Sequence, residues 1–202
     1  MTSKKELLYN YEAFGFDLFW TLVELKEKIV KWKLKDFCDR KEISLKEVAD
    51  IWKITDNTLI EIFEILGVDL YPEDKKELEE IEKLALKEVE KVELKPYSKK
   101  ILELLKSSGK KIFLISNLAK PYWEVIDRLG LRKYFDGMVL SYEVGLVKPD
   151  LKIYKKALEE LRIENPSIVL FSGDRLKPDV EWPKKVGMDS MIINELVDIL
   201  LW

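Results

Sequence analysis

Six polar side chains in this sequence close apolar runs or stand just ahead of a helix. Asp17 interrupts the run Ala13 to Phe19, Ser116 and Asn117 end the run from Ile112, and Asp174 ends the run from Ile168, with Asp179 five residues on. Lys148 lies in Gly145-Leu146-Val147-Lys148-Pro149-Asp150, ahead of a helical stretch. If such residues share one edge of a sheet, three carboxylates meet. Two unit charges ~4 Å apart repel by ~4 kcal/mol at an effective dielectric of ~20. Either one carboxyl then holds a proton, or a divalent cation lies among them. Oxygen ligands without imidazole point to magnesium. A metal with Ser116 and Lys148 would cradle a tetrahedral anion such as phosphate. A strand-end carboxylate could serve as nucleophile.

Composition narrows the chemistry from the other side. The 202 residues include no histidine and one cysteine, Cys38. That excludes a Ser-His-Asp triad, a Cys-His pair, His-ligated zinc and disulfides within the chain. Cys38 falls in a helical stretch and is expected to be buried and inert. The balance of 35 basic and 38 acidic residues, net -3, does not describe a general nucleic-acid or membrane binder. No run of ~18 apolar residues is present, and the first residues have no signal-peptide form. A cytoplasmic protein is expected. Abundant Lys and Glu without Gln resemble the composition of thermophile proteins.

The elements that must position these groups follow from hydrophobic period. The run containing Asp17 reads as a buried strand. The next ~70 residues are helical: Leu22, Leu25, Ile29 and Trp32 share one face, Ser44 and Glu47 fit a capping box, Leu59, Phe63 and Leu66 precede Gly67, and Pro72 opens a fourth helix. After Pro96, strands near 111–117, 138–141, 168–174 and 191–194 alternate with helices. That alternation predicts an α/β core with a parallel sheet covered on both faces. The core is expected over 1–21 and 96–202, with a helical insertion at 22–95. In such sheets, sites form where strands end at their carboxyl termini, which is where the six side chains lie.

The residues now carry a resemblance. Phe16-Asp17-Leu18-Phe19-Trp20-Thr21-Leu22, Ile115-Ser116-Asn117, Lys148-Pro149-Asp150 and Gly173-Asp174 with Asp179 resemble, in order, the four motifs of the haloacid dehalogenase superfamily. The resemblance implies a Rossmann-like core whose helical insertion is a cap over the site. It implies Asp17 as nucleophile, and Ser116 and Lys148 on the phosphoryl oxygens. Magnesium would be held by Asp17, Asp174 and the Phe19 backbone carbonyl, with Asp179 as direct or water-mediated support. Asn117 and Trp20 would meet the substrate, a small molecule and by this reading a phosphate ester. The enzyme would be a monomer or homodimer.

Two departures bear on the activity. The family's phosphatases usually have an aspartate two residues after the nucleophile, acting as acid and then base; here it is Phe19. General acid–base help is worth ~10²–10⁴ in rate. An aromatic there is typical of 2-haloacid dehalogenases, whose halide leaves without a proton, and Tyr154 six residues after Lys148 also suits that branch. The usual glycine before the threonine is Trp20. Against this, dehalogenases lack the Gly-Asp carboxylate, whereas Asp174 and Asp179 are present. Phosphoryl transfer is therefore preferred, with metal-free dehalogenation or a weakly active binding module as alternatives. The stretch Ser44 to Gly67 has a helix-turn-helix rhythm, but its second helix carries Asp56, Glu61 and Glu64 and no Lys or Arg, so a DNA reader is not expected.

Overall fold

The computed structural model describes residues 3–202. Helix α1 (Lys4–Asn10) opens on a reciprocal cap between Ser3 and Glu6. It leads into β1 (Ala13–Phe16) and, past a turn, β2 (Val23–Glu24). Four helices follow: α2 (Ile29–Arg40), α3 (Leu45–Trp52), α4 (Leu59–Ile65) and α5 (Pro72–Lys91). Strand β3 (Glu93–Leu94) leaves them. The rest alternates: α6 (Ser98–Ser107), β4 (Lys111–Ser116), α7 (Glu124–Arg128), β5 (Gly137–Leu140), α8 (Ser141–Val144), α9 (Leu151–Glu160), β6 (Val169–Gly173), α10 (Trp182–Lys184), β7 (Asp189–Ile192) and α11 (Ile193–Leu201).

Five strands form one parallel sheet in the order β5-β4-β1-β6-β7. Strand β1 is central, so the winding direction reverses beside it. This is the place where open α/β sheets bind ligands. Both faces are covered. Phe14, Phe16, Ile112 and Leu114 pack with side chains of α6, α7 and α11. Their sheet neighbours Ala13, Phe113, Ile115 and Phe171 pack with α9 on the other face. The alternation is the period of two that a strand imposes, and burial on both faces explains why each strand reads as an unbroken apolar run. Gly15 is needed because a Cβ there would lie 2.4 Å from the Phe113 ring and 2.5 Å from that of Phe171.

The helices α2 to α5 enclose their own core, with Leu34, Phe37, Cys38, Val48, Leu59, Phe63, Leu78 and Ile81 buried together. The paired strands β2 and β3 carry the chain in and out, Val23 opposite Leu94. Cys38 is buried there, and burial pushes its thiol up to about 11, as an inert core cysteine requires. The expected box at Ser44 does not form: its side chain makes no capping bond. Helix α3 is instead held by burial of Val48 and Trp52, consistent with packing stabilising short helices more than local signals do. The reciprocal cap lies on α4, between Thr58 and Glu61. Both α3 and α4 turn apolar faces into this block. Ser141, expected within a strand, starts α8. No helix among the described residues is long and apolar enough to cross a membrane.

Candidate active site

Register brings the expected residues to one edge. Phe16 aligns with Leu114 of β4 and Ser172 of β6. Asp17, Ser116 and Asp174 therefore lie just past the same level of three adjacent strands. The Asp17 N–H continues the ladder by donating to the Ser172 carbonyl at 3.1 Å. The chain then turns tightly. The Leu18 carbonyl accepts from Leu22 N–H (2.8 Å) and Val23 N–H (3.0 Å), and Trp20 N–H donates to the Val23 carbonyl (2.7 Å). This turn holds Trp20 at φ 68°, in the left-handed region where a side chain costs ~1–2 kcal/mol. Its position thus has the backbone a glycine adopts freely. Trp20 is 38% exposed, with the Lys28 ammonium 4.5 Å from the centroid of its ring.

Asp17, Asp174 and Asp179 each place a carboxylate oxygen within 4.8 Å of the others. Lys148 reaches between two of them, its Nζ 2.7 Å from Asp17 Oδ1 and 2.7 Å from Asp179 Oδ1, with a side chain 0% exposed. Asp179 is fully buried, and its Oδ2 accepts the Arg175 N–H at 3.1 Å. Both of its oxygens are thus engaged. At Asp174, Oδ1 receives only a long contact of 3.5 Å from Thr21 Oγ1. Three carboxylates share two cations: the enclosed Lys148 ammonium, in contact with Asp17 and Asp179, and the Arg175 guanidinium, whose Nε lies 3.9 Å from Asp179 Oδ2. Burial raises the Asp17 carboxyl above its usual range; the Lys148 charge opposes the shift and the Asp179 charge adds to it. Asp174 is raised by burial, then by the charges of Asp17 and Asp179. The excess negative charge, oxygen-only donors and close spacing fit a hard divalent cation. Asp17 Oδ2 and Asp174 are the oxygens best available to it.

Supporting residues fix this geometry. A Cβ on Gly173 would fall 2.4 Å from Asp179 Cγ, so glycine there makes room for the carboxylate. Asp179 lies inside a wide helical turn, Leu176–Glu181, rather than ahead of a helix as expected. Tyr154 is fully buried and its hydroxyl donates to the Pro178 carbonyl, bracing that turn. Asn117, expected to meet substrate, commits its amide to the Lys148 peptide and also lines the neighbouring cleft. Its Nδ2 donates to the Lys148 carbonyl and its Oδ1 accepts the Lys148 N–H, both at 2.8 Å. Ser116 is buried at the end of β4.

A cleft of about 380 Å³ lies between α2 and α3 on one side and the loops after β1 and β4 on the other, and its walls include Phe19, two residues after Asp17, and Asn117, which holds the Lys148 peptide. Phe19, Trp20, Trp52, Asn117, Leu118 and Tyr122 contribute to its walls. The Tyr122 ring meets Phe19 edge-on at 5.9 Å and Trp52 at 6.4 Å. Its hydroxyl donates to Glu88 Oε2 at 2.7 Å, and Glu88 Oε1 accepts the Val30 N–H in the first turn of α2 at 2.7 Å. Sequence reasoning did not find Thr21 as a neighbour of Asp174, nor the Glu88–Tyr122 pair. Thr21 stood within a recognised motif, but Glu88 is one of many glutamates on a charged helix and gave no signal.

Known proteins agree with this architecture. A glyceraldehyde 3-phosphate phosphatase of Methanocaldococcus jannaschii is 35% identical over 94 residues, which are 46% of this chain and 41% of that protein. A pyrimidine 5'-nucleotidase of Escherichia coli is 34% identical over 100 residues, 49% of this chain and 44% of that one. The chain thus matches less than half the length of these curated relatives. In solved structures, a haloacid dehalogenase phosphatase of Thermococcus onnurineus superposes with a TM-score of 0.63 at 24% identity, covering 89% of this chain and 84% of that one. A family enzyme of Bacteroides thetaiotaomicron, solved with magnesium and inorganic phosphate, gives 0.64 at 18% identity, covering 90% and 93%. The family of haloacid dehalogenase-like hydrolases matches residues 15–193, a span that takes in the end of β1, the acidic cluster and Lys148. The chain, with its carboxylates gathered where that family's sheet ends, belongs to the haloacid dehalogenase-like hydrolases.

Proposed function

We propose that this chain is a magnesium-dependent phosphatase of a small phosphorylated compound, with Asp17 as nucleophile. The observation that carries the reading is the cluster of three carboxylates within 4.8 Å, two of them bridged by the buried Lys148 ammonium. In this reading Asp17, Asp174 and the Phe19 backbone carbonyl hold the metal. Asp179 acts through water and as an anchor for Lys148, since its own oxygens are engaged. Magnesium, when bound, would offset charge on the phosphoryl oxygens. An ammonium has three N–H donors; Lys148 spends two on carboxylates and directs the third to a phosphoryl oxygen. Ser116 binds a second. An Asp17 oxygen attacks phosphorus, the ester oxygen leaves with the bonding pair, and water then hydrolyses the aspartyl phosphate to regenerate Asp17. Residues 22–95 act as a cap over a core of 1–21 and 96–202, with Trp20 at the substrate. The names of the curated relatives, phosphatases of small phosphate esters, support the reaction class. The same reading makes the chain a cytoplasmic monomer or homodimer with no nucleic-acid or membrane partner.

Phe19 favours one competing reading, a 2-haloacid dehalogenase in which Asp17 displaces halide without metal. A screen of phosphate esters and 2-haloacids, each with magnesium and with chelator, separates the two. Phosphate release that needs magnesium supports the phosphatase; halide release in chelator supports the rival. Asp17→Asn is expected to abolish turnover of either class, and activity surviving in it rules out the nucleophile assignment.

A further inference from the structure

We propose that the ester taken by this site has a flat aromatic leaving group of low basicity with a further anionic substituent, as in a carboxylated aryl phosphate. The proposal rests on the phosphatase reading above. Its ground is the lining of the cleft between α2, α3 and the loops after β1 and β4.

Four features define that lining. The walls are apolar and largely aromatic, with Phe19, Trp52, Leu118 and Tyr122 among them. No carboxylic acid lines the cleft among the described residues. Two of the uncharged polar groups that do, Asn117 and Tyr122, are already committed. The Asn117 amide is used on the Lys148 peptide, and the Tyr122 hydroxyl donates to Glu88. Burial, with Glu88 beside it, also pushes the Tyr122 phenol far up, so it is a poor proton carrier. Finally, Lys28 and Lys31 line the cleft as exposed residues. Lys53 there pairs with Asp50 at 3.6 Å, whereas Lys28 and Lys31 pair with no carboxylate among the described residues.

Each feature constrains the ligand. A volume of about 380 Å³ suits a small organic moiety. A polyhydroxylated chain would set hydroxyls against the apolar walls, and each one left without a partner costs ~1–3 kcal/mol. A ring would instead meet Phe19 and Tyr122 at favourable aromatic geometry. With no acid in place, an alkoxide would have to leave unprotonated, forfeiting ~10²–10⁴ in rate. A phenoxide needs no such help: the P–O bond breaks, both electrons stay on the phenolic oxygen, and the proton is taken from water afterwards. The ammonium groups of Lys28, over the Trp20 ring, and Lys31, neither held by a carboxylate among the described residues, would attract the second anionic group.

The test is kcat/KM of the full chain with magnesium for phenyl phosphates of graded phenol acidity, 4-carboxyphenyl phosphate and glycerol phosphate. The expected result is a steep fall as the phenol becomes more basic, with glycerol phosphate at least ~10²-fold below the best aryl ester. 4-Carboxyphenyl phosphate is expected to show a lower KM than phenyl phosphate. Replacing Lys28 and Lys31 together by Ala should reduce that preference about fivefold to tenfold. Phe19→Asp should narrow the gap between aryl and glycerol esters. Glycerol phosphate matching the aryl esters overturns the proposal while leaving the phosphatase standing. An unchanged carboxylate preference in the lysine double variant overturns the anionic substituent. Hydrolysis of none of the esters overturns both readings.

Discussion

Asp174 illustrates how the candidate site works against its own fold. Its carboxyl is raised by burial and by the charges of Asp17 and Asp179. A raised folded-state value means the folded chain holds that proton more tightly than the unfolded chain. The associated stability is present below the unfolded value and lost as pH rises through the folded one. Once ionised, Asp174 is therefore a net cost to the fold, which a bound divalent cation would reverse. Asp174→Asn should raise the melting temperature of the metal-free protein by a few degrees and remove the further rise that magnesium gives the parent. Calorimetry at neutral pH with and without magnesium checks both. An undiminished magnesium response in the variant shows that the carboxylate holds no metal. At this scale the sequence was informative where a polar residue closes an apolar run, as at Asp17, Ser116 and Asp174. It was silent on what each side chain touches: Asn117 proved to clamp the Lys148 peptide.

At the scale of elements, the turn after β1 sets how the nucleophile is presented. Trp20 lies at φ 68° because three backbone hydrogen bonds close the turn around it. Substitutions that both remove the ring isolate the backbone effect. Trp20→Gly is expected to be more stable than Trp20→Ala by about 1 kcal/mol, since only glycine occupies that region without a Cβ penalty. Urea unfolding of the pair measures this; equal midpoints mean the turn is not held left-handed. Strand and helix order after Pro96 was legible because burial on both faces gives continuous apolar runs. The short β2–β3 pairing was not legible, since two residues per strand carry no period.

Across the whole molecule, the helical block is fastened to the sheet domain at the cleft. Tyr122 donates to Glu88 at 2.7 Å, and Ser141, at the start of α8, donates to the Lys53 carbonyl at 2.6 Å. Ala119, in the loop after β4, packs into the core of the helical block. Glu88→Ala would leave the Val30 N–H and the Tyr122 hydroxyl unpaired in a buried setting, at about 1–3 kcal/mol each. The urea midpoint should fall accordingly, and KM should rise for whichever ester is turned over, as Phe19 loses the support of the Tyr122 ring. Glu88→Gln, which retains an acceptor, should lose less. A variant as stable as the parent shows that the contact does not fasten the two parts.

The order of the motifs, the α/β alternation and the candidacy of Asp17, Ser116, Lys148, Asp174 and Asp179 for the site were determined by the sequence alone. Those features are local: a period of two or of 3.6 and a polar residue ending an apolar run are visible within a dozen positions. Three-dimensional packing decided the rest. The Lys148 ammonium comes to bridge Asp17 and Asp179, residues 131 and 31 positions away, and Gly173 yields space to a carboxylate. The aromatic cleft between α2, α3 and the loops after β1 and β4 arises in the same way. Such contacts depend on distances between segments remote in the chain, which no local pattern encodes.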